Sequence, residues 1–144
     1  MMYVDKPSDF SPKNIIVNCY VEFEGRILLL LRRDDKFEGN TWGPPAGKVQ
    51  IGEKINDAVI RELNEETSIH IDSSLISYFK EVYVRYPNYD FVYHIFHLAL
   101  SDKPNIILNL KEHKDFIWVT PNQALEMNLI PDEDSCIKLF FGID

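Results

Sequence analysis

Apolar and polar positions change rhythm several times along this chain. Val17, Cys19, Val21 and Phe23 alternate in the manner of a half-buried strand. Glu24-Gly25 then makes a tight connection to a continuous apolar run between Arg26 and Arg33, which reads as the buried second arm of a hairpin. The stretch "DDKFEGNTWGPPAG" is loop by composition. Two β-prone segments, 76–86 and 90–100, are joined by "YPNYD" and predict a second hairpin. A further strand over 116–119 runs into "TPNQALEMN". There Thr120 as cap, Pro121 at the first position and Gln123 at the third predict a short helix. A last helix is expected after Pro131. Strands and helices without regular βαβ alternation predict an α/β fold with a mixed sheet covered by helices.

One segment breaks the rule that charge faces water. In "GKVQIGEKINDAVIRELNEETSI", residues 47–69, helical periodicity puts Ile55, Ala58, Val59 and Leu63 on one apolar stripe. Glu62 and Glu66 fall inside that stripe and Glu65 falls on its edge, while Lys54, Asn56, Asp57, Arg61 and Asn64 form the solvent side. Like charges at this spacing cost an isolated helix only about 0.2 to 0.5 kcal/mol per pair. An unpaired carboxylate turned into a packed interior costs several kcal/mol. Something cationic must therefore meet these acids. Three carboxylates within one turn suit a hard divalent ion such as Mg2+, which takes oxygen ligands and keeps places for water and phosphate.

Composition narrows the partners. The 144 residues are 45% hydrophobic and 12% aromatic, enough for one core, and without repeat or linker they read as a single domain, 1–144. A net charge of -8 argues against long nucleic acid, which needs a basic face. A phosphate ligand would need metal to offset the repulsion. The longest plain apolar run, Ile27 to Leu31, is too short to cross a membrane, and the first residues lack a signal-peptide core. Cys19 and Cys136 lie far apart, outside any metal-binding spacing, and read as free thiols in a cytosolic protein. The oligomeric state stays open between monomer and homodimer.

Gly47, Glu53, Arg61, Glu62, Leu63, Glu65, Glu66 and Ile69 resemble the Nudix box, G-x(5)-E-x(7)-R-E-U-x-E-E-x-G-U, where U is a bulky aliphatic residue. Ser68 stands where that box has glycine. "LLLLRRDDKFEGNTWGPPAGKVQIGE" and "EHKDFIWVT" extend the likeness over most of the chain. The resemblance implies a Nudix-type α/β/α sandwich with a mixed β-sheet. It also implies a Mg2+-dependent hydrolase, with Mn2+ able to substitute, that cuts a diphosphate linkage in a nucleoside diphosphate joined to another group. Carried onto this chain, Glu62, Glu65 and Glu66 are the metal carboxylates, and a backbone carbonyl of Ala46 or Gly47 completes the shell. Arg61 orients a catalytic glutamate, and Glu53 holds the loop or assists proton transfer. The general base is open among Glu53, Glu65 and Glu112. Ser68 costs the end of the helix about 1 kcal/mol.

Selectivity lies outside the box. Arg32 and Lys48 are candidates for holding phosphates, against the commoner role of solvated strand-end charges. Asp132 and Glu133 in "LIPDEDS" resemble a base-reading position of Nudix enzymes that clear oxidised purine nucleotides; acids favoured by a helix dipole explain them as well. Tyr86 is a candidate for stacking on a base, although cross-strand aromatic pairs are commoner. The leading expectation is a pyrophosphohydrolase of nucleoside triphosphates or their modified, oxidised forms. Dinucleoside polyphosphate, ADP-ribose or nucleotide-sugar hydrolysis, a non-catalytic nucleotide sensor and an isopentenyl-diphosphate-type isomerase remain as alternatives.

Overall fold

The computed structural model describes residues 1–144. Both expected hairpins form. The first pairs β2 (Pro12–Phe23) with β3 (Arg26–Arg32), and the second pairs β6 (Ile76–Arg85) with β7 (Asp90–Leu100). Preceding them, β1 (Met2–Tyr3) caps the outer edge of β6. A parallel pairing of β2 with β7 along nearly their whole length makes the sheet mixed. Main-chain order across it is β1-β6-β7-β2-β3-β4.

β2 and β3 pair only at the turn, where Glu22 and Phe23 face Ile27 and Arg26. Glu24 and Gly25 make that turn at positive φ of 50° and 75°. Beyond it the two strands part company. β5 (Ala46–Lys48) pairs with β2 from Ile16 to Asn18, whereas β4 (Trp42–Gly43) and β8 (His113–Val119) pair with β3. The cleft described below opens at this end. β4 and β5 lie in the stretch that composition assigns wholly to loop; two- and three-residue strands carry no periodic signal. β8 also begins earlier than Phe116.

Helices cover both faces. α1 (Ile55–Thr67) packs on one side, in a cluster with Val17, Cys19, Val21, Leu28 and Leu30. α3 (Glu133–Phe141) packs on the other, with Tyr20, Ile27, Leu29, Val82 and Ile95. Each fully buried aliphatic side chain contributes roughly 1.5 to 3 kcal/mol. α2 (Pro121–Ala124) starts with the predicted capping box of Thr120 and Gln123, with Pro121 at its first position. α1 has no side-chain cap at Lys54 and ends at Ser68 in the left-handed conformation, φ 63°. Packing therefore holds α1 in place of capping. Both cysteines are buried free thiols. No helix is long and apolar enough to cross a membrane.

Candidate active site

The stripe of α1 docks its apolar members on the sheet and carries its acids along with them. Glu66 is 7% exposed, Glu62 is half-buried, and Glu65 on the edge has a side chain 53% exposed. Under them runs β5. The Ala46 N–H donates to Glu66 Oε1 at 2.9 Å. Gly47 lies so close to Glu62 that a Cβ there would overlap its carboxyl group. That close approach, and not a turn, is what requires glycine at this position.

Arg61 departs from its expected place on the solvent side. Its guanidinium donates from Nε and Nη2 to Glu53 at 2.8 and 3.0 Å and from Nη1 to Glu62 at 2.7 Å and Glu65 at 3.2 Å. It also reaches the Lys48 carbonyl at 3.0 Å. Periodicity is blind to this because a long side chain can fold back along the helix onto acids one and four residues away and onto the preceding loop. Hydrogen bonds from Arg61 hold Glu53 down to about pKa 2. Burial pushes Glu62 upward despite Arg61, and pushes Glu66 well above the usual carboxylate range. His113, also lowered by burial, to about 4, has its Nδ1 4.0 Å from Glu66 Oε2.

No three His, Cys, Asp or Glu side chains already meet as a ligand set, since Arg61 takes oxygens of Glu62 and Glu65. The donors nonetheless fit a hard divalent cation. Glu66 is a buried carboxylate with a single hydrogen bond and no ion pair closer than 4.0 Å. Glu62, Glu65 and β5 line the same cleft and offer oxygen donors of the type such a cation takes. Arg61 compensates the same acids in part.

A cleft of about 900 Å³ joins these acids to a second, aromatic wall. Arg32, Lys48, Arg61, Glu62, Glu65 and Glu66 line one end, and Glu112 lines the same cleft. Glu112 also lies 3.7 Å from Lys36. Phe37, Tyr86, Tyr89, Phe91 and Tyr93 line the other end. Tyr86 packs against Phe37, Tyr89 and Phe91, so its cross-strand partners and its place in the cleft wall coexist. Burial raises its hydroxyl, which donates to the Pro131 carbonyl at 3.2 Å.

Asp132 and Glu133 both line the cleft but differ in character. Asp132, at positive φ before α3, pairs with the amino group of Met1 at 2.9 Å. Glu133 is 2% exposed and accepts hydrogen bonds from the hydroxyls of Tyr20 and Tyr93. An acid placed at a helix start by the dipole alone would stay in water; Glu133 is instead held at the cleft floor. The candidate residues thus line one cleft, except Glu53, which is outside its lining and joins it through Arg61. Lys13, Phe37 and His113 were not legible. Lys13 and Phe37 are set at the cleft by strand pairing and loop path, and His113 is set behind Glu66 by the bulged start of β8.

A family profile described as NUDIX domain matches residues 12–140. The chain is 28% identical over 132 residues to a CTP pyrophosphohydrolase of Escherichia coli (strain K12), covering 89% of this chain and 91% of that protein. It is 26% identical over 140 residues to a dihydroneopterin triphosphate diphosphatase of Haemophilus influenzae, covering 89% and 86%. The crystal structure of a MutT protein from Methanosarcina mazei Go1 superposes with a TM-score of 0.79 at 24% identity, covering 91% and 94% of the two chains.

Proposed function

The chain belongs to the Nudix family, a hydrolase of phosphoanhydride bonds, and from that premise we propose that it is a Mg2+-dependent pyrophosphohydrolase of nucleoside triphosphates or their modified forms. One observation carries this reading: a single cleft runs from the α1 acids to an aromatic wall, so that one ligand can present phosphates to the first and a flat ring to the second. Two relatives matched over most of their length bear the names of triphosphate-cleaving enzymes, which supports a triphosphate over a sugar or dinucleotide substrate.

Glu62, Glu65 and Glu66, with the carbonyl of Ala46 or Gly47, would hold the cation. When bound, it supplies charge neutralisation at phosphate oxygens and a more acidic water. Arg61 pins Glu53 and so fixes the loop into α1, while its contacts to Glu62 and Glu65 aim those carboxylates. Lys48 and Arg32 flank the path of the phosphates. Water adds to phosphorus, the anhydride P–O bond breaks, and the water's proton passes to a carboxylate; products are a nucleoside monophosphate and pyrophosphate. Glu53 suits that last role poorly, because both its oxygens are engaged by Arg61 and it is held near pKa 2. Glu112, in the cleft and free of Arg61, is the better base, with Glu65 behind it. Tyr86 would stack on the base, and Asp132 and Glu133 would meet its edge. Two buried reduced thiols accord with a cytosolic setting.

The test is product release with Mg2+ across ordinary and oxidised nucleoside triphosphates, dinucleoside polyphosphates, ADP-ribose and nucleotide sugars. Pyrophosphate from a triphosphate, abolished in Glu65→Gln and Glu66→Gln, supports the reading. Turnover confined to another class, or surviving both substitutions, sinks it.

A further inference from the structure

Two buried groups at the acids each have one side-chain atom without a hydrogen bond. The Nδ1 of His113, in a residue 5% exposed, makes no hydrogen bond. The carboxylate of Glu66 accepts from the Ala46 N–H on Oε1 and from nothing on Oε2. The two unpartnered atoms face each other at 4.0 Å. A buried polar atom without a partner, as Nδ1 of His113 is, is rare in native proteins and asks for a cause.

The backbone around them shows that the juxtaposition is built. The Asn109 N–H donates to the carbonyl of Glu66 itself at 3.3 Å, and the His113 N–H donates back to the Asn109 carbonyl at 3.1 Å. The Ile107 N–H donates to the Thr67 carbonyl at 3.0 Å. The loop that delivers His113 is therefore tied to the last turn of α1 at the residue His113 faces. A register shift between Leu31 and Arg32, opposite the start of β8, turns the chain at this point, and such irregularities re-aim side chains beside active sites.

We propose that His113 is a positioning residue: its Nδ1–H holds Oε2 of Glu66 and, with the Ala46 N–H on Oε1, fixes the plane of that carboxylate toward the cleft. A movement of about 1 Å brings the pair within hydrogen-bond range. Each carboxylate oxygen has two acceptor sites, so both donors leave a lone pair on either oxygen for a cation. The bond also chooses the tautomer, with hydrogen on Nδ1. The proposal rests on the metal role of Glu66 given above, and partners of this kind typically change metal affinity by about 10- to 100-fold.

The experiment measures Mn2+ binding to the substrate-free protein by electron paramagnetic resonance, for wild type, Glu66→Gln, His113→Leu and His113→Asn. The Asn amide nitrogen reaches the place of Nδ1, so it restores the donor where Leu removes it. Expected are a loss of about tenfold or more in His113→Leu, recovery to within about threefold in His113→Asn, and an Nδ1-protonated tautomer in the nitrogen NMR spectrum of the wild-type histidine. Wild-type affinity in His113→Leu alongside loss in Glu66→Gln overturns the role of His113 and leaves the metal site standing. Binding that Glu66→Gln does not weaken overturns both. Hydrogen on Nε2 in the wild type overturns the proposal even if the Leu variant fails to fold.

Discussion

Glu133 gives the most exposed forecast, because its protonation is coupled to folding. The side chain is 2% exposed, and burial pushes its carboxyl up to about 7 from an ordinary 4.5, even though the hydroxyls of Tyr20 and Tyr93 favour the ion. Below about pH 4.5 the group is neutral in folded and unfolded chains alike, and its contribution to stability is fully present. Between 4.5 and 7 the folded protein keeps a proton that the unfolded chain releases, so stability falls as pH rises, and the loss is complete above 7. At about 1.4 kcal/mol per pH unit, that window amounts to a loss on the order of 3 kcal/mol. Urea denaturation of the wild type and Glu133→Gln at steps from pH 4.5 to pH 8 measures it. Subtracting the two curves cancels the titration of groups remote from Glu133, Glu66 included. The wild type should lose about 3 kcal/mol relative to the variant across the window. A flat difference, or one in which the wild type gains with pH, would show that the buried carboxyl stays ionised and that the reasoning from burial is wrong.

Three further outcomes are expected. Gly47→Ala should cost about 1 kcal/mol in urea, because the displaced Glu62 carboxyl is the end of a side chain that can swing aside, yet should cut kcat/KM by about tenfold or more; full activity would mean that Glu62 need not lie against β5. Ser68→Gly should raise stability by about 1 kcal/mol through relief of its positive φ, with turnover unchanged. Tyr86→Ala should raise KM about tenfold with kcat within about twofold of wild type, the signature of a lost base stack; Tyr86→Phe, which keeps the ring and loses only the bond to Pro131, should retain wild-type KM.

Short-range periodicity made the box helix readable. Its stripe and its inward acids follow from one period, its left-handed end at Ser68 came with the resemblance to the box, and the folded α1 has both. The two hairpins and the α2 cap were readable for the same reason: each is set by residues close in sequence. What escaped is set by partners far along the chain. The parallel match of β2 with β7 joins residues more than 70 positions apart, and no local pattern encodes it. The depth of Glu133 depends on Tyr20 and Tyr93, 113 and 40 residues away. Arg61 was misplaced because helical phase fixes only where a side chain starts, and three methylene groups let its guanidinium return to Glu53.

Neighbouring residues of β2 and β3 point to opposite helices. Val21 and Leu28 sit under α1, while Tyr20 and Leu29 sit under α3. The sheet thus works as a partition wall with two sets of tenants. Mutations that reshape the α3 side, such as changes around Glu133 or Cys136, alter that wall of the cleft while the packing under the α1 acids, on the other face, is left in place. The two faces can therefore be repacked one at a time, because each helix has its own set of sheet residues beneath it.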